Sequence, residues 1–230
     1  MRELFCDSVF FGVVVSLLAY ELGTFLKRKL KLAICNPLLV SVAAVILVLA
    51  VFRIDYESYQ EGASLLSYLL TPATVCLAIP LYEQISLLKK HARAIMAGIV
   101  SGVAASLFSI LALALLFGFS HEEYVTLLPK SITTAIGMGV SEELGGIVTI
   151  TVAVIIVTGI LGNVIGDQVC RLFRIEEPVA KGIAFGTAAH AIGTAKAMEI
   201  GEIEGAMSSL SIAVSGLLTV VGASVFAQFL

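Results

Sequence analysis

Two stretches of the chain gather the side chains best able to hold a small polar molecule. The first is LLPKSITTAIGMGVSEELGG, in which Pro129 and Lys130 open a run of Ser131, Thr133 and Thr134, with Gly137 and Gly139 following. Hydroxyls and free N–H groups at the start of a half-helix suit a carboxylate or phosphate, and a lysine adds a full charge. A plainer reading stands beside it: Lys130 lies only a few residues past Glu122 and Glu123 and can snorkel to the interface. The second stretch is KGIAFGTAAHAIGTAKAMEIGEIEGAMSS, built of Gly, Ala and Thr around His190, with Thr187 before it and Gly193, Thr194 and Lys196 after it. Histidine donates, accepts or carries a proton near neutral pH, which suits ligand binding or proton coupling. A packed, hydrogen-bonded histidine is the alternative. Small residues such as Gly186 and Gly193 let backbones approach closely.

A third stretch, ASLLSYLLTPATVCLAIPLYEQ, carries Pro72 near its middle and Pro80 near its end. Proline removes a backbone donor and clashes with the preceding turn, so a broken helix lining a cavity, with Thr71 and Thr74 offering hydroxyls, competes with an ordinary kink. Enzyme signatures are absent: His121, Glu122 and Glu123 do not make H-E-x-x-H, and neither a phosphate-binding G-x-x-x-x-G-K-[ST] nor a G-x-S-x-G nucleophile turn occurs. No catalysis and no cofactor are expected. Cys6, Cys35, Cys76 and Cys170 are scattered without C-x-x-C spacing, so neither a disulfide nor a metal is expected of them.

The elements that must position these groups follow from composition. The 230 residues are 59% hydrophobic and 13% charged, with mean hydropathy +1.03, whereas soluble domains are about a quarter charged. The ruler is therefore the bilayer, at roughly 20 apolar residues per crossing. Six stretches read as spans: 7–26, 32–52, 63–82, 94–119, 147–165 and 207–229. Residues 7–26 are long enough to cross and run into Lys27, Arg28, Lys29 and Lys31, which favours a first transmembrane helix over a signal peptide. No Arg-rich transit segment precedes it, so a bacterial or archaeal inner membrane is expected. Glu21 is expected to pair with that basic cluster, and Asn36-Pro37 to open the second helix. Asn163 and Asp167 read either as cavity-facing or as interfacial.

Residues 124–140 and 183–197 are too polar or too short for comfortable spans. Charge decides how they run, because cytoplasmic loops carry the Lys and Arg. If both are re-entrant hairpins, the clusters Lys27, Arg28, Lys29, Lys31; Lys89, Lys90, Arg93; and Arg171, Arg174, Lys181 all face the cytoplasm, ten of the 14 basic residues. The opposite loops then carry Arg53 with Asp55, Glu57, Glu61, Glu122, Glu123, Glu142 and Glu143. If both crossed fully, the Arg171 to Lys181 loop would face outside. The expected fold is thus all-α and polytopic: six transmembrane helices plus two re-entrant or broken segments, entering from opposite sides as an inverted repeat of the secondary-transporter kind. The net charge of −3 by itself says nothing about partners, and with no basic tail or patch no nucleic acid is expected.

NPLL at Asn36, YLLTPATVCLAIPLY at Tyr68, LPKSITT at Leu128 and GTAAHAIGTAKA at Gly186 followed by EGAMSSL at Glu204 together resemble the LrgB/CidB family along nearly the whole chain. Ala135 departs from it, standing where a proline after the paired threonines is expected. The resemblance implies one integral membrane domain over residues 1–230. It also implies a link to murein hydrolase activity and autolysis, beside a small holin-like LrgA/CidA-type partner, and a relation to the plastidal glycolate/glycerate translocator and to pyruvate movement. Two classes of function stay open. One is a secondary transporter of small carboxylates (glycolate, glycerate, lactate or pyruvate) with Thr71, Thr74, Lys130, Ser131, Thr133, Thr134, Thr187, His190, Thr194 and Lys196 around the ligand and Pro72, Pro80, Pro129, Gly186 and Gly193 as breaks. The other is an antiholin-like regulator that binds its partner without transport. A homodimer is expected in either case.

Overall fold

A computed structural model describes residues 10–30, 37–76 and 78–230; the side chains of residues 70, 71, 74, 80 and 81 fall outside that description. Every regular element among the described residues is helical. The chain divides into two compact units, Met1–Cys76 and Leu77–Leu230.

The first unit holds α1 (Phe11–Leu30), α2 (Pro37–Phe52), the short α3 (Tyr56–Gly62) and α4 (Ser64–Cys76). Basic Lys27, Arg28 and Lys29 occupy the last turn of α1, where cations complement the free carbonyls. Close approach needs glycine here: a Cβ on Gly12 would sit 2.5 Å from the Tyr59 carbonyl oxygen, and Ser16 Oγ lies 2.7 Å from the Tyr59 hydroxyl. Pro37 opens α2, as expected of a first-turn proline; its anticipated cap Asn36, with Lys31, Cys6 and Cys35, lies outside the described residues. The anticipated span 63–82 comprises α4, with Pro72 inside it, and α5 (Ala78–Glu83), separated by residue 77, which is not described.

The second unit continues with α6 (Ile85–Phe117), α7 (His121–Leu127), α8 (Thr134–Glu143), α9 (Val148–Leu172), α10 (Pro178–Ile200) and α11 (Glu202–Phe226), which ends in a 3-10 turn, Ala227–Phe229. Among the described residues, three stretches, Ile85–Phe117, Val148–Leu172 and Glu202–Phe229, are long and apolar enough to cross a membrane. They overlap the spans read from sequence, but α6 begins earlier and α9 ends later. Lys89 and Lys90 are therefore helical, set off by a kink at His91 (φ −112°, ψ 16°). Gly118, at φ 68°, ends α6 in the left-handed conformation that only glycine adopts without cost.

Both polar segments fold as helical hairpins. In the first, α7 and α8 are joined by a turn at 128–133, where Pro129 supplies no amide donor and Lys130 N–H and Ile132 N–H bond back to Leu127 and Pro129 carbonyls (3.1 and 3.3 Å). The end of α7 and the turn come back beside α8, where a Cβ on Gly137 would lie 3.5 Å from the Pro129 carbonyl oxygen. Thr151 Oγ1, on α9, donates to the Thr126 carbonyl or to Ser141 Oγ, 2.9 and 2.7 Å away, so the end of one arm and the end of the other meet at the same point.

The second hairpin is α10. It consists of two helical arms: His190 adopts φ 42°, ψ −136°, and the chain folds back there. A Cβ on Gly193 would lie 2.6 Å from both the Phe185 carbonyl oxygen and Ala189 Cβ, an approach that a straight helix at 1.5 Å per residue does not allow. Phe185 and Ala197 share one apolar cluster with Cys170, flanked by Ile175 and Ile200. Along α11, Gly182 faces Glu204 and Met207, Gly186 faces Ser208 and Ser211, and then Thr194 meets Ser208 and Met198 meets Gly205. The first arm thus ascends α11 and the second descends it.

Candidate functional site: a cavity at two hairpin tips

Two helices act as rulers for where the hairpins end. On α6, Gly102 packs against Thr187 of the second hairpin, and Ser106 Oγ donates to Ser131 Oγ of the first at 3.2 Å. Four residues separate these contacts, about 6 Å along the axis. On α9, Ile155 Cδ1 packs on Gly137 of the first hairpin, while the Ile155 carbonyl lies 3.0 Å from His190 Nε2 and Gly159 packs against the same imidazole. The hairpins therefore reach α9 from opposite ends, with bases at Thr151 and Cys170, and their tips stop about one turn apart.

Between α6, the first tip and the ascending arm of α10 lies a cavity of about 990 Å³. Its α6 wall is made of small side chains, among them Ala94, Gly98, Ser101, Gly102, Ala105, Ser106 and Ser109. Small residues at spacings of three and four share one helix face, so α6 presents a shallow, hydroxyl-bearing strip. Opposite stand Val179, Ala180, Ile183, Ala184, Thr187 and Ala188. Measured along α6 from His91 to Ser109, the cavity runs about 27 Å at 1.5 Å per residue. Glu177 and His91 line it toward one end, Lys130 and Ser131 toward the other.

Lys130 brings the positive charge of the first tip. Half-buried, its Nζ donates to Ser131 Oγ at 2.8 Å, and no carboxylate among the described residues pairs with it. A buried ammonium without a counter-ion is costly, so this position favours an anion arriving from the cavity. Ser131 Oγ accepts from both Lys130 Nζ and Ser106 Oγ.

Lys130, Ser131 and Thr187 are thus brought together. Thr187 is held by its own hydroxyl, which donates to the Ile183 carbonyl at 2.8 Å. His190 and Thr194 are buried beside the cavity rather than lining it: Thr194 Oγ1 donates to the His190 carbonyl at 3.0 Å and lies 2.7 Å from Ser208 Oγ. Lys196 pairs with Glu199 at 2.9 Å on the descending arm, away from the cavity lining. Thr133 is the N-cap of α8 but makes no side-chain cap bond, and Thr134 begins that helix. Thr71 and Thr74 lie on α4 of the first unit, with side chains outside the description.

Several contributors escaped sequence reading. Ser101, Ser106 and Ser109 sit in an apolar run that reads simply as a span; their spacing on the Gly98/Gly102 face was the available signal. Asn163 Nδ2 donates to the Ile192 carbonyl at 2.9 Å, fastening α9 to the second hairpin. Asp167 pairs with Arg171 at 2.7 Å toward the end of α9 and is not among the residues lining the cavity. Cys76 and Cys170 are free thiols, and no group of three or more metal-ligating side chains occurs among the described residues.

No solved structure matches the chain. The LrgB-like family matches residues 16–229. An "Antiholin-like protein LrgB" of Bacillus cereus (strain B4264) is 38% identical over 222 residues, 96% of each chain, and a protein of the same name from Bacillus anthracis (strain A0248) is equally similar. With nearly full-length coverage, including both hairpins and every cavity wall, the chain belongs to the LrgB-like family.

Proposed function

We propose that this chain is a secondary transporter of small carboxylates, with the ligand held in the cavity between the hairpin tips. The observation that carries this reading is Lys130, an ammonium that donates to Ser131 Oγ but has no described carboxylate partner, facing a cavity of ligand size. An anion there completes the lysine's coordination, and the Thr187, Ser101 and Ser109 hydroxyls, whose protons go to carbonyls of their own helices, can accept from the hydroxyl of a small hydroxy acid.

The arrangement of hairpins supports a re-entrant topology within one integral domain over residues 1–230: six crossings, with the first hairpin entering from outside and the second from the cytoplasm. Between His91 and Phe117, α6 has 26 residues, about 39 Å, enough for a hydrocarbon core of about 30 Å. The Gly102 to Ser106 stretch that meets both tips lies halfway along it. A site near the midplane, at irregular backbone buried in protein, is the usual transporter solution. The cavity end near His91 and Glu177 neighbours Lys89, Lys90 and Arg93, the side expected to be cytoplasmic. In this reading the arrangement is open inward, in a bacterial inner membrane.

Counterflow tests it. Purified chain in liposomes loaded with glycolate, glycerate, lactate or pyruvate should take up the labelled acid saturably, and Lys130→Met should abolish uptake at low concentration. Absence of exchange for all four acids, or equal leakage of a large dye, would sink the carrier reading. The relatives' name favours a second reading, an antiholin-like regulator that binds a holin-like partner and thereby influences murein hydrolase activity. Under that reading the partner changes autolysis equally with the native chain and with its Lys130→Met variant.

A further inference from the structure

His190 is one of three non-glycine residues with positive φ among the described residues, and of these it alone lies at the tip of a hairpin. Its φ 42°, ψ −136° is close to the first central position of a type II′ turn, where glycine is the usual choice. A side chain kept there costs strain, and strain that persists points to a role for that side chain. The ring is buried at 3% exposure and lines no part of the cavity. What it touches is α9. Nε2 lies 3.0 Å from the Ile155 carbonyl oxygen. The wall beneath the ring is Gly159, where a Cβ would come within 2.7 Å of Cε1 and 2.8 Å of Nε2. A glycine in mid-helix is a local cost; here it makes the seat for the imidazole. Ile155 is also the residue whose side chain packs on Gly137 of the other hairpin.

We infer that His190 is a positioning residue: seated on Gly159, its ring N–H donates to the Ile155 carbonyl and pins the second hairpin tip to α9, which aims Thr187 and Ala188 at Lys130 and joins both tips through one residue. The inference deepens the transport reading for the same cavity, but the pin itself can be measured without transport.

Ala188 is exposed and lines the cavity two residues before His190, so Ala188→Cys reports the tip's position. Its rate of modification by a charged thiol reagent in membranes is read by mass spectrometry on the peptide that carries it, which separates it from the native cysteines. Three further changes are combined with it. His190→Gln keeps a donor at nearly the Nε2 position, His190→Gly removes the ring and relieves the strain, and Gly159→Ala fills the seat. A hydrogen bond of ordinary net worth predicts about a two- to tenfold change in labelling rate for His190→Gly and Gly159→Ala, and little change for His190→Gln. Exchange in liposomes should slow in the same two variants and persist in His190→Gln. Labelling that is unchanged in both His190→Gly and Gly159→Ala overturns the pin. So does a loss of exchange in His190→Gln with labelling intact, which would mean the ring meets the ligand directly. Should the parent chain show no exchange at all, the transport reading fails, and the labelling rates alone uphold or overturn the pin.

Discussion

Lysine at position 130 is a charge that no carboxylate among the described residues neutralises. Hydrogen bonds to charged groups are worth about 1.5–3 kcal/mol, so Lys130→Met should weaken the apparent affinity for a carboxylate by roughly 10- to 100-fold. Lys130→Arg should retain part of it at a changed geometry. Competition of unlabelled acid against labelled uptake measures both. Thr194 and Ser208 belong to a different kind of chemistry: their 2.7 Å contact is buried and internal. Removing one hydroxyl leaves its partner stranded. Thr194→Val and Ser208→Ala should each cost about 1 kcal/mol or more, and together less than their sum. Melting of the detergent-solubilised single and double variants tests this; additive losses would mean the two hydroxyls act independently.

At the scale of elements, the hairpins depend on glycine wherever backbone meets backbone. A Cβ on Gly186 would sit 2.5 Å from the Ser208 carbonyl oxygen and 2.6 Å from Ser211 Cβ, whereas one on Gly139 would meet nothing within 4 Å. Gly186→Ala is therefore expected to push α10 off α11 and cost about 1–3 kcal/mol, while Gly139→Ala, within α8, should be neutral or stabilise by up to about 1 kcal/mol. A thermal-shift comparison of the pair isolates close packing from helix propensity. The first hairpin is started by a capping box: Glu123 N–H donates to Ser120 Oγ, and the Glu123 carboxylate accepts from Ser120 N–H at 2.8 Å. These bonds, the backbone one foremost, hold the exposed Glu123 carboxyl below its ordinary pKa. Its contribution is therefore fully present above the usual carboxylate value and fades as pH falls through the lowered one. In Glu123→Gln that acid-side loss should disappear, seen as a flatter melting temperature below about pH 5.

For the molecule as a whole, the two hairpins and the charge distribution make one prediction about sidedness. Single cysteines replacing Glu122 and Arg174 should react with an impermeant reagent from opposite faces of the membrane, Glu122 from outside and Arg174 from the cytoplasm. Reaction of both from the same face would mean that the hairpin at 124–140 or the helix Val148–Leu172 does not run as the charge rule requires.

Much of this was legible from residues alone. Apolar length set the three long helices, because a bilayer imposes a fixed ruler. Pro129 marked one interruption, since a proline cannot donate, and the small-residue run around His190 marked the other. Lys130, Ser131 and Thr187 stood out because hydroxyls and charge are conspicuous in apolar surroundings. Other features were not legible, and for one reason: they depend on which atom of a distant segment lies opposite. Nothing local reveals that Ser101, Ser106 and Ser109 would form a wall, that Lys196 would turn away to Glu199, or that the histidine ring would rest on Gly159 instead of reaching the cavity. Composition and spacing determined that the chain has two interruptions and which polar side chains they carry; only the packing of α6 and α9 against both hairpins decided that the tips stop about one turn apart, and which side chains face the space between them.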